Sequence, residues 1–436
     1  MYLHSALMAR TTENRPVRAA LIGAGKFGSM FLSQVPTTPG LEVAVIADLR
    51  PDAARTACRG VGWSAERIAA TDFTDDALQA IARDDVDVVI EATGHPAAGI
   101  AHALAAIRAG RHIVMVNVEA DALAGPLLAE EAHRAGVVYS LAYGDQPALI
   151  AEMVDWARCC GFTVTAAGKG TKYMPAYHAS TPDTVWDHYG LTAKEATAAG
   201  MNPKMFNSFL DGTKSALEMA AVANACALDV PKDGLAFPPC GMDDLAHVLR
   251  PRSQGGVMAA SGMVEVVSSM QRDGGPVERD LRWGVYVVIE APTDYAAACF
   301  TQYGMNTDPT GRYSAMYKPF HLIGLELGIS VLSAALLGQS TGGTRAFTGD
   351  VVATAKRDLK AAEMLDGEGG ACVWGKLMPA RASLAAGALP IGLAQDVTLI
   401  RDVPTGAVLR WDDVTIDETT GAAQIRRQME TRCALS

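Results

Sequence analysis

The chain has 436 residues, of which 49% are hydrophobic and 19% are charged, and its formal net charge is −11. This length allows two or three domains with apolar cores. The acidic balance, without long runs of Lys or Arg, argues against nucleic acid or an anionic membrane as the main partner. The eight cysteines have no CxxC spacing, so we expect free thiols in a cytoplasmic protein rather than a disulfide framework.

Residues 17–48 predict a dinucleotide-binding unit. The segment contains an apolar strand, the turn Gly23-Ala24-Gly25-Lys26-Phe27-Gly28, a helical pattern and a second apolar run that ends at Asp48. In such turns the first glycine allows the sharp bend, the second lets the backbone approach a pyrophosphate, and the third lets helix and strand pack closely. The N-terminus of the helix then presents unpaired N–H groups to the phosphates.

Asp48 bears on the choice of nucleotide. A carboxylate at this position accepts hydrogen bonds from the ribose 2′-hydroxyl and repels a 2′-phosphate, which favours NAD. Arg50 lies two residues further on and would hold a 2′-phosphate if Asp48 turned away. We therefore expect NAD(P)H as the cofactor, with NAD favoured over NADP.

Strands continue to alternate with helices as far as residue 143. This order predicts a doubly wound parallel sheet that binds ligands at the carboxyl ends of its strands. The cofactor contacts expected there are Gly23, Gly25, Lys26, Phe27, Gly28, Asp48, Thr93, Gly94 and Asn117. Glu119 follows the same strand as Asn117 and is expected to contact the substrate, unless it only begins a helix.

Residues 144–340 are expected to hold the substrate. After a strand at residues 162–167, residues 168–173 combine glycines, a hydroxyl and two lysines in a loop, which suits a phosphate or a carboxylate. A solvated basic turn is the alternative. The polar, aromatic segment that follows is also expected to build a site. The residues expected to bind substrate are Lys169, Thr171, Glu119, His178 and Asp183, with Lys172 as a second basic residue in the catalytic group.

A long helix is predicted over residues 203–228. It is nearly apolar all round, and its polar residues Asn207, Asp211, Lys214 and Glu218 recur on one side. On so apolar a helix, this stripe favours the lining of a cleft over an ordinary surface row of ion pairs. Lys214 is the expected proton donor or acceptor, oriented by Asp211, and Glu218 belongs to the same catalytic group.

The rest of the sequence predicts strands at residues 282–291 and 297–303, a buried apolar helix at residues 320–337, and a linker at residues 339–349. Short strands with turns follow. The expected fold class is α/β, with an N-terminal Rossmann doubly wound sheet (1–143), a central α+β substrate domain (144–340) and a small C-terminal β-rich domain (350–436).

Residues 17–337 resemble the homoserine dehydrogenase-like NAD(P)-binding superfamily, in which a Rossmann domain is followed by a mixed domain that holds the substrate. The tail resembles a SAF domain through residues 356–364, 369–379, 389–394 and 401–403. The combination is most similar to the deoxyxylulose-phosphate reductoisomerase-like branch, whose pattern is seen in residues 168–186 and 209–214.

The chain departs from homoserine dehydrogenases at the substrate end. Those enzymes have an Asn-Lys pair where this chain has Asn117-Val118-Glu119. Their catalytic Asp and Lys are four residues apart, whereas Asp211 and Lys214 are three apart. The additional lysines after residue 168 suit a phosphorylated or acidic substrate better than homoserine.

The resemblance implies an NAD(P)-dependent oxidoreductase for a small anionic hydroxy or keto substrate. Within the branch it implies a reductoisomerase of isoprenoid biosynthesis that converts 1-deoxy-D-xylulose 5-phosphate to 2-C-methyl-D-erythritol 4-phosphate. It also implies a homo-oligomer and leaves a divalent metal open, with Glu119, Asp183 or Glu218 as oxygen ligands. The enzymatic alternatives are a sugar-acid dehydrogenase or oxidoisomerase and a homoserine dehydrogenase, and the non-enzymatic alternative is a nucleotide-gated binding or assembly protein.

Overall fold

The computed structural model of the protein describes residues 3–434. Its strands are β1 (Val17–Ile22), β2 (Leu41–Ala47), β3 (Asp72–Thr74), β4 (Val88–Glu91), β5 (His112–Met115), β6 (Tyr139–Leu141), β7 (Thr163–Thr171), β8 (Met263–Ser268), β9 (Val285–Glu290), β10 (Tyr313–Lys318), β11 (Gly349–Ala355), β12 (Met364–Asp366), β13 (Val373–Pro379), β14 (Gln395–Leu399) and β15 (Val414–Thr415).

The α-helices are α1 (Leu3–Thr12), α2 (Lys26–Gln34), α3 (Pro51–Gly60), α4 (Ala65–Ala70), α5 (Ala77–Ile81), α6 (Pro96–Arg108), α7 (Val118–Arg134), α8 (Gln146–Cys159), α9 (Val185–Tyr189), α10 (Ala193–Ala198), α11 (Pro203–Leu210), α12 (Thr213–Cys226), α13 (Leu245–Val248), α14 (Asp294–Gln302), α15 (Gly328–Leu332), α16 (Ala380–Ala386) and α17 (Gly421–Ala434). Within residues 3–434, none of the helices combines the length and the apolar character needed to cross a membrane.

The first packing unit comprises Met1–Glu152 and His321–Arg345. Its sheet has six parallel strands in the order β3-β2-β1-β4-β5-β6. The chain order reverses between β1 and β4, which makes the carboxyl ends of these strands the expected ligand-binding edge. The predicted Rossmann sheet is therefore confirmed.

Residues 321–345 complete the core of this unit. Leu327 and Val331 are buried in one cluster with side chains of β1, β2 and α2. The backbone N–H of Leu141 in β6 donates to the carbonyl oxygen of Gly342 at 2.7 Å. The core under the Rossmann sheet is thus built from two stretches of chain that are far apart in sequence.

The predicted helix at residues 320–337 is wrong for its first half. Gly324 has φ +71°, and a Cβ there would lie 2.6 Å from the Cβ of Met30, so the chain turns where it packs against α2. Regular helix begins only with α15, continues as the π-helical turn Ser333–Leu337 and ends at Gly338, which has φ +62°.

The second packing unit comprises Met153–Phe320 and Ala346–Ser436. Its main sheet has the order β10-β9-β7-β8, in which β7 and β8 are parallel and the other neighbours are antiparallel. The C-terminal region adds the antiparallel pair β11–β13 and the antiparallel sheet β12-β14-β15. The predicted α/β class, with a mixed second sheet and a β-rich C-terminal region, is confirmed.

Two further secondary-structure predictions are wrong. Residues 297–302 lie in α14 and Tyr303 follows it, because the side chain of Thr293 accepts a hydrogen bond from the backbone N–H of Ala296 at 3.1 Å and begins a helix there. The helix predicted over residues 203–228 is divided into α11 and α12. Gly212 causes the break, since its φ of +92° is incompatible with a continuous helix.

The packing units do not follow the predicted domain limits. Residues 321–345 pack with the Rossmann sheet, and residues 346–436 pack with residues 153–320. Separate domains at 1–143, 144–340 and 350–436 stay a prediction, and its outer limits, residues 1 and 436, lie outside the described residues.

Asp121 is a buried carboxyl group in α7 that ties two parts of the first unit together. It accepts hydrogen bonds from the hydroxyl groups of Tyr139 at 2.8 Å and Thr344 at 2.9 Å. Burial raises the pKa of Asp121 to about 6, although both hydroxyl groups act in the opposite direction. The folded protein therefore binds a proton at this site more tightly than the unfolded chain does.

We expect Asp121 to make the stability of the protein depend on pH. The pKa of Asp121 is raised in the folded state from an unfolded value of about 3.9, so its contribution is fully present at lower pH and is lost as the pH rises through about 6. Urea unfolding should show that the free energy of unfolding decreases by up to about 3 kcal/mol as the pH rises from about 4 to about 6. Asp121→Asn should remove this component, and the exposed control Asp75→Asn should keep it. Equal pH profiles for Asp121→Asn and wild type would refute the assignment.

Candidate active site

The glycine turn after β1 has the geometry of a pyrophosphate cradle. Gly23 has φ +94°, and a Cβ there would lie 2.8 Å from the carbonyl oxygen of Ala92. A Cβ on Gly28 would lie 2.5 Å from the carbonyl oxygen of Gly23, so only glycine lets α2 pack against the turn. By contrast, a Cβ on Gly25 would meet nothing within 4 Å. That open space at the start of α2 is where a phosphate would approach the backbone.

Asp48 is fixed beside this turn at the carboxyl end of β2. Its Oδ2 accepts a hydrogen bond from the backbone N–H of Ala24 at 2.9 Å, and its Oδ1 accepts one from the N–H of Arg50 at 2.9 Å. Gly25 and Lys26 are exposed at the same edge, and Phe27 is half-buried. These residues fit a dinucleotide whose ribose meets Asp48 and whose phosphates meet the N-terminus of α2.

The next two strands place Thr93, Gly94 and Asn117 at the same edge of the sheet. The hydroxyl of Thr93 donates to Glu91, a buried carboxylate at the end of β4, at 2.5 Å. Asn117 caps α7, because its Oδ1 accepts from the N–H of Ala120 at 3.0 Å. All the sequence-predicted cofactor positions are thus brought together, although their contact with nucleotide stays a prediction. Glu119 lies half-buried in the first turn of α7.

The predicted anion-binding loop at residues 168–173 is wrong for its first four residues, which lie inside β7. A Cβ on Gly168 would lie 1.8 Å from the carbonyl oxygen of Glu265, and one on Gly170 would lie 2.0 Å from that of Leu281. These glycines therefore serve close backbone packing within the sheet rather than loop flexibility. Thr171 ends the strand and is half-buried.

Lys169 and Glu218 neutralise each other in the interior. Lys169 is 6% exposed, Glu218 is 3% exposed, and the Lys169 ammonium donates to the Glu218 carboxylate. Neither group is therefore open to a substrate anion or a metal ion in this arrangement. The predicted role of Lys169 as an anion ligand is not supported by this geometry, because its charge already has a buried partner.

Lys172 is also engaged within the second unit. Its ammonium donates to the backbone carbonyl of His188 at 2.5 Å and lies 5.6 Å from the ring centre of Tyr189. Burial, and secondarily the charge of Arg282, lowers the pKa of Lys172. Lys172 is thus a partly buried amine with one aromatic and one cationic neighbour, and it does not lie in a solvated basic turn.

Asp211 does not orient Lys214 as predicted. Its Oδ1 accepts from the backbone N–H of Thr213 at 2.9 Å, and its Oδ2 accepts from the ammonium of Lys356 at 2.7 Å. The same ammonium donates to the carbonyl oxygens of Ser180 and Gly370, both at 2.7 Å. The predicted pairing of Asp211 with Lys214 is wrong because Gly212 turns α12 away from α11 and the carboxylate meets the C-terminal region instead.

His178 lies beside this ion pair. Its Nδ1 is 2.7 Å from the carbonyl oxygen of Asp211, which can only accept, so this nitrogen carries the proton. Its Nε2 then accepts from the hydroxyl of Tyr173 at 2.9 Å, and its ring stacks on Trp374 with centroids 3.9 Å apart. Burial lowers the pKa of His178, which keeps the ring neutral at neutral pH. Asp183, also predicted to bind substrate, is exposed on the following turn.

A cavity of about 230 Å³ opens between these groups and β13. Gly212 and Ala216, at the start of α12, form one side. The other walls of the cavity include His178, Asp233, Phe237, Trp374, Lys376 and Leu377. Sequence reasoning missed the last five of these. The alternation of Trp374 and Lys376 on a strand was the available signal, since such residues share one face.

The described residues do not form a cluster of potential metal ligands. Within residues 3–434, no three His, Cys, Asp or Glu side chains are grouped so that they could hold a metal ion. Of the three oxygen ligands considered from sequence, Glu218 is paired to Lys169 and Asp183 is exposed.

Two family models match successive parts of the chain. Residues 23–141 match the NAD-binding domain of homoserine dehydrogenase, and residues 144–327 match the catalytic domain of oxidoreductase DRL. Both models describe domains of oxidoreductases. The superfamily resemblance and the NAD(P)H cofactor are thereby supported at the level of domains. No curated protein matches the chain significantly.

Several solved structures are similar to parts of the chain at low identity. The chain is 14% identical to a homoserine dehydrogenase from Thiobacillus denitrificans, with a TM-score of 0.43 over 74% of each chain. It is 13% identical to myo-inositol dehydrogenase from Lactobacillus casei, solved with NAD(H) and myo-inositol, with a TM-score of 0.33 over 63% of this chain and 71% of that one. For the 3-ketoreductase KijD10 from Actinomadura kijaniata, the identity is 21% and the TM-score 0.27, over 37% of this chain and 48% of that one.

The first solved structures in this comparison are covered over 48–65% of their own length. At these identities and TM-scores the likeness carries no argument about substrate.

Lys356→Met is expected to destabilise the second unit strongly. It would leave the Asp211 carboxylate buried without its cation, which costs about 3–5 kcal/mol in comparable cases. Urea unfolding followed by circular dichroism measures this change. The matched control is Lys360→Met, whose ion pair with Asp402 is solvent-exposed and whose loss should leave the unfolding midpoint unchanged. Equal, small effects of the two variants would show that the buried pair does not stabilise the fold.

Proposed function

We propose that the protein is an NAD(P)-dependent oxidoreductase that interconverts an alcohol and a carbonyl group on a small, oxygenated, anionic substrate. The observation that carries this proposal is the cradle formed by Gly23, Gly25 and Gly28 beside Asp48, at the switch point of a doubly wound sheet. The match of residues 144–327 to an oxidoreductase catalytic domain supports the same reaction class. When bound, the nicotinamide supplies or accepts the hydride.

Lys214 is the residue that we propose as proton donor or acceptor at the substrate oxygen. It lies in the first turn of α12 and is half-buried, whereas every other residue of that helix is buried. A charged side chain that stays partly exposed on an otherwise buried helix is placed to act on a ligand. The ammonium would give its proton to an alkoxide as a carbonyl is reduced, and the neutral amine would take the proton of an alcohol in the reverse direction.

Coupled isomerisation is the finer form of this proposal. In that form the protein rearranges 1-deoxy-D-xylulose 5-phosphate and reduces the product to 2-C-methyl-D-erythritol 4-phosphate, as the resemblance of residues 168–186 and 209–214 to the reductoisomerase-like branch suggests. A sugar-acid dehydrogenase is the second candidate, favoured by the preference of Asp48 for NAD, the usual oxidant. We also propose that residues 350–436 form a SAF-like domain and that the protein is a homo-oligomer.

A substrate panel distinguishes these forms. Nicotinamide absorbance is followed with deoxyxylulose phosphate, other sugar phosphates, sugar acids, neutral polyols and homoserine, in both directions and with both nucleotides. Turnover of deoxyxylulose phosphate alone supports the reductoisomerase, and oxidation of sugar acids supports the second candidate. Nucleotide binding without any turnover would favour a nucleotide-gated binding protein instead.

Asp48→Asn is expected to change nucleotide preference. The loss of one charge removes the repulsion of a 2′-phosphate and weakens the hydrogen bond to the ribose, so the ratio of NADPH to NADH affinity should rise about tenfold. Titration of nucleotide fluorescence measures both affinities. Asp52→Asn, an exposed carboxylate on the first turn of α3, is the control and should leave the ratio unchanged. Tighter binding of NADPH than NADH by the wild type would overturn this role of Asp48.

Lys214→Ala is expected to reduce kcat by about a hundredfold to ten-thousandfold, the usual contribution of a positioned acid or base. Nucleotide affinity should not change, because the glycine cradle and Asp48 do not include Lys214. Lys194→Ala, on the exposed surface of α10, is the matched control and should retain full turnover. Retention of kcat within about twofold in Lys214→Ala would rule out this lysine as the proton carrier.

A further inference from the structure

The cavity beside His178 has the composition of a ligand site rather than of a packing defect. Its wall joins an aromatic residue, Trp374, with a cationic residue, Lys376, and an acidic one, Asp233. Apolar cavities that arise from imperfect packing lack such convergent polar groups. The volume of about 230 Å³ suits a small metabolite and not a nucleotide.

Lys376 has no hydrogen-bond acceptor among the described residues, unlike the three other lysines considered above. Lys169 pairs with Glu218, Lys172 donates to a backbone carbonyl, and Lys356 pairs with Asp211. Among residues 3–434, no hydrogen bond or ion pair engages the Lys376 ammonium, although Asp233 also lines the cavity. A cation that faces a cavity without a protein partner is available to an anion.

The position of Lys376 is fixed by close packing. The backbone N–H of Gly375 donates to the hydroxyl of Thr213 at 2.8 Å, which ties β13 to the first turn of α12. A Cβ on Gly234 would lie 3.1 Å from the Cε of Lys376, so the loop before Phe237 leaves just enough room for the lysine chain. Trp374 and Lys376 therefore enter the cavity from one face of a well-anchored strand.

We infer that this cavity binds the anionic end of a small hydroxylated substrate, with the anion on Lys376, hydroxyl groups on Asp233 and the C–H face of the carbon chain against Trp374. A carboxylate accepts hydrogen bonds from hydroxyl groups, and an aromatic face packs against aliphatic C–H groups. The inference rests on the proposed function, because it makes the ligand the substrate of the oxidoreductase. It transfers the anion-binding role from Lys169 and Lys172 to the C-terminal region.

Binding of inorganic phosphate to the full chain is the first test, measured by calorimetry without nucleotide. We expect saturable binding in the millimolar range, a loss of about tenfold in affinity for Lys376→Gln, and retention in Lys376→Arg. Lys232→Gln is the matched control, because Lys232 is an exposed lysine in the neighbouring loop that does not line the cavity. Absence of phosphate binding, or equal loss in Lys376→Gln and Lys232→Gln, would overturn the site.

Competition titrations then define the ligand. Glycerol phosphate and gluconate test phosphate and carboxylate as the anion, and glycerol tests the hydroxyl groups alone. We expect one of the two hydroxylated anions to bind more tightly than inorganic phosphate, Asp233→Asn to remove that gain, and glycerol not to bind. Binding of glycerol as tight as that of the anions would contradict the anion assignment.

Kinetics separate this inference from the proposed function. With the substrate found in the panel, Lys376→Gln should raise KM about tenfold while nucleotide affinity stays constant. Weaker phosphate binding with an unchanged KM would show that the cavity does not hold the substrate. If nucleotide does not bind at all, the proposed function fails, whereas the phosphate titration still decides whether the cavity is an anion site.

Discussion

The second packing unit depends on one buried cation. Lys356 donates to Asp211, Ser180 and Gly370, so three separate segments meet at its ammonium. A buried charge is tolerated only where acceptors surround it, and each acceptor here therefore fixes the backbone that carries it. Because the carbonyl of Asp211 in turn accepts from His178, the orientation of that ring follows from the same centre. The C-terminal region is in this way part of the candidate site rather than an appendage.

The turn after β1 in the first unit depends on a different constraint, which is that three of its residues are glycines and have no Cβ. At Gly23 and Gly28 a Cβ would meet backbone atoms within 3 Å, whereas at Gly25 it would meet none. Gly23 and Gly28 therefore allow close packing of the turn, and Gly25 leaves space for a ligand. Structural and ligand-binding glycines thus lie within the same six residues. A Cβ at Gly168 or Gly170 would also meet backbone atoms within 3 Å, but there the glycine only allows close packing of the sheet. A glycine pair therefore has no fixed meaning outside its place in the fold.

This contrast explains how much of the structure could be predicted from the sequence. The nucleotide cradle is local: strand, turn, helix and Asp48 follow one another within 32 residues, and all of them were placed correctly. The partners of Asp211 and Lys169 are 145 and 49 residues away in the chain, and no local pattern contains that information. The lysines after residue 168 looked like a flexible anion loop because their neighbours in the sheet, residues 265 and 281, could not be inferred. The place of Trp374 and Lys376 in the cavity wall could not be predicted, because the tail contributes the strand that carries them.

The return of residues 321–345 to the first unit bears on how the protein is made. Leu327 and Val331 belong to the core beneath the Rossmann sheet, so that core is incomplete while only the first half of the chain has emerged from the ribosome. A nascent chain of this kind must keep apolar surface uncovered until three quarters of it has been synthesised, which lengthens its exposure to aggregation and to chaperones. The isolated segment 1–152 would expose the same apolar surface permanently. A biosensor built from this nucleotide-binding unit would therefore have to include residues 321–345 as well.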